Sequence, residues 1–117
     1  MANLVSGYWT ATSTTAQVAL KPTGALPPPS LLLKRVVITN AHASTAISVT
    51  YTALDMNDDS SLGTVFVAYA PAATTTSIDL GPGIPLPRNA YLKATCSSGI
   101  STIYGTTVAE LTTASGG

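Results

Sequence analysis

The side chains that nucleophilic catalysis would draw on are few. His42 is the chain's one histidine and Cys96 its one cysteine, with Ser44 two residues past the histidine. A serine or thiol nucleophile needs a base within hydrogen-bond reach, held there by a third group. Neither a Gly-x-Ser-x-Gly elbow nor a cysteine-hydrolase signature surrounds these residues. His42 sits in the Ala-rich stretch 40–44, where a solvated turn residue is the expectation. Asp55, Asn57, Asp58 and Asp59 form the densest acidic cluster and resemble the opening of a calcium loop, because hard cations take several carboxylate and amide oxygens. The pattern then fails. Ser60 stands where the EF-hand loop turns on glycine, and Phe66 stands where it needs a bidentate glutamate. These residues are expected to bond their own backbone in a polar loop. The run Asp79, Leu80, Gly81, Pro82, Gly83 lacks the basic residue and the helix of a phosphate cradle. No catalytic, cofactor-binding or metal-binding residue is assigned, and the chain is not expected to be an enzyme.

The elements that would carry such groups read as strands. Ile47, Val49, Tyr51 and Ala53 alternate with Ser48, Thr50 and Thr52, the period of two of a half-buried strand. Similar β-branched or aromatic stretches occupy 35–40, 64–69, 75–80, 91–96 and 102–111, with weaker ones near Tyr8 and at 17–20. Turn formers separate them: 40–44 is expected to close a hairpin, 57–61 to make a polar loop, and the Pro-rich 81–89 to cross between sheets. No segment carries an apolar stripe at helical spacing. About eight short strands predict an all-β fold, a two-sheet antiparallel β-sandwich of jelly-roll type. Tyr51, Phe66, Tyr69, Tyr91 and Tyr104, placed within strands, are expected in the core.

With 117 residues there is room for one domain. Charged residues make up 9% of it, five basic and five acidic, against roughly 25% in an ordinary soluble domain. A net charge of zero removes the electrostatic footprint that nucleic-acid binding requires and the usual protection against self-association. The apolar content of 45% and mean hydropathy of +0.34 argue for a folded chain over a disordered one. Apolar runs such as 31–33 and 36–38 fall far short of a bilayer span. The N-terminal residues lack the apolar stretch of an export signal, and a lone cysteine gives no disulfide within one chain. Synthesis in the cytoplasm, without membrane, nucleic-acid or small-molecule partners, is the expectation.

Pro22, Gly24, Pro27, Pro28 and Pro29 favour an extended stretch without internal hydrogen bonds. They divide the chain into an N-terminal arm and Pro-rich segment (1–30), a sandwich body (31–111) and a tail (112–117). Leu4, Val5, Tyr8 and Trp9 on that arm are apolar and must dock somewhere. With Pro27, Pro28 and Pro29 they form the candidate interface. Large rigid aromatics dominate interface energies, but Tyr8 and Trp9 serve equally well as members of the domain's own core, and both readings stay open.

The stretch 36–111 resembles the small β-sandwich virion proteins of tailed bacteriophages, most of all capsid decoration or cement proteins. The order that carries the likeness is Val36-Val37-Ile38-Thr39-Asn40, then Asp79-Leu80-Gly81-Pro82-Gly83-Ile84-Pro85-Leu86. Leu92-Lys93-Ala94-Thr95-Cys96-Ser97-Ser98-Gly99 and Val108-Ala109-Glu110-Leu111 complete it, about two thirds of the chain. The resemblance implies a non-catalytic structural protein on the capsid surface of a virion. Its implied partners are the major capsid protein and copies of itself, as a homotrimer bridging neighbouring subunits. The competing expectation is a module of a phage fibre or capsid that binds host glycan, with aromatic rings aligned on one exposed face; a tail or connector component is a third.

Overall fold

The computed structural model describes residues 3–21, 29–97 and 102–113. Eight strands make up the fold: β1 (Asn3–Ala11), β2 (Gln17–Leu20), β3 (Pro29–Asn40), β4 (Ile47–Asp55), β5 (Ser61–Ala70), β6 (Thr74–Pro85), β7 (Ala90–Cys96) and β8 (Ile103–Thr113). They form two four-stranded sheets, ordered β1-β8-β3-β6 and β2-β7-β4-β5. Every described pairing is antiparallel. First pairs with eighth, second with seventh, third with sixth and fourth with fifth, the connectivity of a rolled double-sheet jelly roll. The all-β, two-sheet sandwich expected from the period of two is thus the fold.

Alternation decides which face each strand buries. On β4, Ile47, Val49, Tyr51 and Ala53 are buried while the residues between them are partly exposed. β3 shows what happens when the phase must change. Leu31 and Leu33 are buried on odd numbers, Val36 and Ile38 on even ones. The register slips between Leu33 and Arg35 against both neighbouring strands. One extra residue in a strand flips every later side chain to the other face. The bulge therefore keeps Val36 and Ile38 in the core and turns Arg35 out, where its Nε donates to the Ser77 hydroxyl at 3.1 Å.

Two glycines mark places where backbones or rings come too close for a Cβ. At Gly7 it would strike the carbonyl oxygen of Ala19, so β2 lies against the inner side of β1. At Gly105, the partner of Trp9 in register, it would enter the Trp9 indole. That ring meets Tyr51 edge-on at 6.4 Å, and Tyr51 stacks on Phe66 at 4.9 Å. An aromatic series thus runs from β1 in one sheet to β4 and β5 in the other, filling the space where sheets typically stand about 10 Å apart.

Four sequence expectations change. Residues 3–20 are no arm. They supply two strands of the body, with β1 paired to β8 along its whole length, so the body begins at Asn3 and not at Leu31. The Pro-rich stretch instead lies in the connection from β2 in one sheet to β3 in the other. At the far end, β8 continues to Thr113, past the start of the expected tail. The 40–44 turn closes no hairpin either, because β3 and β4 belong to different sheets. Finally, β6 runs on through Pro82 to Pro85 before the chain crosses over at 86–89. Proline is tolerated there because β6 is an edge strand, with one margin that needs no ladder donors.

Candidate functional site

The nucleophile candidates are not assembled into a catalytic arrangement. His42 organises the link from β3 to β4: its Nδ1 accepts the backbone N–H groups of Ser44 (3.2 Å) and Thr45 (3.0 Å). Its carbonyl accepts from the Ala73 N–H at 2.8 Å. Asn40, fully buried, completes the knot. Its Nδ2 donates to the carbonyls of Thr45 (2.9 Å) and Ala70 (3.1 Å), and its Oδ1 accepts from the His42 N–H at 3.0 Å. Cys96 is buried on β7 opposite Val49, and burial pushes its thiol up. A neutral, enclosed thiol is a poor nucleophile.

The acidic loop is likewise spent on its own backbone. Asp55 Oδ1 accepts from the Asn57 N–H at 2.7 Å, and Asp58 Oδ1 from the Ser60 N–H at 3.0 Å. Hydrogen bonds from Ser60 hold the Asp58 carboxyl below its usual range. Asp59, at a φ of 61°, accepts the Tyr91 hydroxyl proton at 2.7 Å. That bond is the first cause, ahead of burial, that raises the Tyr91 phenol. The Lys21 ammonium sits over the same ring, 4.7 Å from its centre. Among the described residues no group of three or more His, Cys, Asp or Glu side chains is placed to hold a metal ion.

The residues proposed from sequence as an interface separate cleanly. Trp9 points inward and is core, and Val5 packs against the core partly buried. Leu4 and Tyr8 point outward, 64% and 78% exposed. Pro27 and Pro28 lie outside the described residues; Pro29 opens β3 opposite Thr113. Sequence reading missed two tyrosines. Tyr69 and Tyr104 were expected in the core but are 62% and 52% exposed. Each takes the outward phase of its strand, a signal that neighbouring buried residues such as Ala68 and Ile103 carry only once the register is known. Tyr104 pairs with Thr10 and Tyr8 with Thr106 on adjacent strands, so the two rings stand diagonally on one outer face, roughly 7–8 Å apart at the backbone. Leu4 continues this stripe along β1. On the other sheet, Val67 and Tyr69 form a second exposed pair on β5.

The interior holds a different polar feature. Trp9 Nε1, the Tyr51 hydroxyl and Thr107 Oγ1 are buried without a hydrogen-bond partner. Burial strongly raises the Tyr51 phenol and Cys96 reinforces the shift; the Trp9 indole N–H faces the hydroxyl without hydrogen-bond geometry and opposes the shift only weakly. Removing an unpartnered buried hydroxyl relieves a desolvation penalty, so Tyr51→Phe is expected to raise stability by about 1 kcal/mol. The check is the urea midpoint at unchanged slope; a loss of stability would mean that the hydroxyl has a partner. The pH dependence follows from the same groups. Tyr51 and Cys96 hold their protons more tightly when folded than their ordinary values of 10.0 and 9.0 allow. Their contribution is therefore complete below about pH 9, and it falls as pH rises, because the unfolded chain releases these protons first. Urea titrations between pH 7 and 11 should show stability declining above pH 9 and more steeply above 10. A flat profile would contradict the burial.

Comparison with known proteins leaves this geometry to speak for itself: no family model matches the chain, and no curated protein matches it. Among solved structures, a protein from Bacillus endospore appendages, described as a novel family of disulfide-linked pili, superposes at a TM-score of 0.46 with 10% identity, over 97% of this chain and 88% of its own. A likeness that slight carries no functional argument.

Proposed function

We propose that this chain is a structural protein of a virion, one that binds the outside of a tailed-phage capsid and stabilises it by bridging neighbouring subunits. The observation that carries the reading is the outer surface. Seven large hydrophobic residues are exposed among the described positions, on a chain in which only 9% of residues are charged. Isolated exposed hydrophobics are ordinary, but contiguous ones rimmed by neutral polar groups mark surfaces made to be covered. Packing them against a shell desolvates apolar rings and threonine hydroxyls and few ions, which avoids the cost of burying charge. A ligand that binds only the assembled state stabilises it by mass action, and a shell offers many copies of the same junction. The resemblance of 36–111 to decoration proteins supports the same conclusion.

The test is the heat resistance of tailed-phage heads stripped of their surface proteins, with and without added chain. A rise in the temperature of head disruption that saturates with added protein is expected; no shift at saturating protein overturns the reading.

The diagonal pair Tyr8 and Tyr104 favours one other reading, since aligned exposed rings are what a glycan-binding face presents. A glycan array with the purified chain decides it: selective binding that Tyr8→Ala and Tyr104→Ala each abolish would replace the cement reading.

A further inference from the structure

Four strand edges bound the two sheets, and three are protected. β2 is four residues long and slips register at Ala19. β5 slips twice against β4 and carries Gly63 at a φ of 124°. β6 carries Asp79, Pro82 and Pro85 and slips against β3. Short length, bulges, charge and proline are the devices by which natural sheets keep edges from pairing. β1 has none of them. Its nine residues, Asn3–Ala11, contain no charge and no proline, and its register with β8 is unbroken. Among the described residues its only backbone ladder is to β8, and no described strand pairs with its other margin.

We propose that two copies of this chain join β1 to β1 in antiparallel fashion across a two-fold axis, making one eight-stranded sheet of the two β1-β8-β3-β6 sheets. A strand paired with its own copy is self-complementary, as a two-fold interface demands. Centring the axis on Gly7 aligns all nine residues. It sets Tyr8 opposite Ser6 of the second copy and diagonal to that copy's Leu4 and Tyr8, so the exposed side chains of both strands meet in one patch. Leu4, Tyr8 and Tyr104 are 64%, 78% and 52% exposed. Leu4 and Tyr8 flank the seam, whereas Tyr104 stands one strand in, on β8, and keeps its outer face in water. Pairing covers the two strand margins and the facing sides of Leu4, Ser6 and Tyr8, an area below the standard of about 1,600 Å² for a stable specific interface. The pairing is therefore concentration-dependent. It is a property of the free chain, read without any capsid, so its failure leaves the capsid proposal standing and the reverse also holds. It closes on two copies, where the decoration-protein resemblance implies three.

Sedimentation equilibrium of the full chain from about 1 µM to 500 µM separates these outcomes, working outward from the micromolar range in which weak interfaces fall. The mass is expected to double across this range, and Ser6→Lys or Tyr8→Lys to hold it at one copy, while Tyr69→Lys on the β5 edge leaves the doubling intact. Thermal melts of each variant confirm its fold. Hydrogen exchange on the unmodified chain supplies a readout without substitution: alternate β1 amides should gain protection as concentration rises. A single-copy mass throughout, a threefold mass, or doubling lost with Tyr69→Lys but kept with Tyr8→Lys overturns the proposal.

Discussion

Trp9→Ala is expected to cost about 3–5 kcal/mol, the range for emptying a large aromatic from a packed core. For a domain of this size that lowers the melting temperature by roughly 12–25 °C, a large share of a total stability that seldom exceeds about 15 kcal/mol. The magnitude follows from position. The indole is 5% exposed, covers Gly105 where no Cβ fits, and meets Tyr51 edge-on. Alanine would leave a void bounded by both sheets. Tyr8→Ala, one residue away but facing out, should change the stability of the isolated chain by no more than about 0.5 kcal/mol. Urea unfolding of the two variants checks the contrast. Equal, small effects would mean that residues 3–11 are an appendage after all.

Asn40→Ala is expected to cost about 2–4 kcal/mol, because each buried group left without its partner carries a penalty of about 1–3 kcal/mol. Three partners depend on this one amide: the carbonyls of Thr45 and Ala70, and the His42 N–H. They belong to the turn leaving β3, the entry to β4 and the end of β5, so Asn40 ties the crossover between sheets to the neighbouring strand. Asn40→Asp keeps the acceptor but points a carboxylate at two carbonyls, and should be no milder. His42→Ala, which removes only the acceptor for two partly exposed N–H groups, should cost less than either. Denaturant midpoints of the three variants give the order, and a harmless Asn40→Ala would contradict the knot.

These two residues show what the sequence could and could not reveal. The period of two in 47–53 was enough to place β4 and its buried face, since one side of the strand is apolar and the other hydroxylic. Asn40 read as a turn former; in the fold it ends β3, and its side chain ties down the link that follows. Its burial depends on partners 5 and 30 residues away, and no local pattern announces those. Trp9 was undecidable for a related reason. Gly7, next to Tyr8 and Trp9, lowers the strand propensity of β1, but it is there because Ala19 approaches too closely for a side chain. The cluster of prolines after β2 then looked like a boundary between arm and body. In the fold it lies in one long connection between sheets. Tyr69 and Tyr104 were misplaced because aromatic character favours strands without saying which face is wet. The candidate surface was therefore half legible: Leu4 and Tyr8 were named from sequence, whereas Tyr104 joined them only through the β1–β8 register.

The central claim is that this neutral sandwich has outer faces made to be covered by a shell and by its own copies. Electron cryomicroscopy of stripped tailed-phage heads incubated with the chain tests it most directly. The account predicts regular extra density on the head exterior at the junctions between capsid subunits, contacting an outer sheet face. Bare heads at saturating protein, with the chain left in solution as single copies, would contradict it.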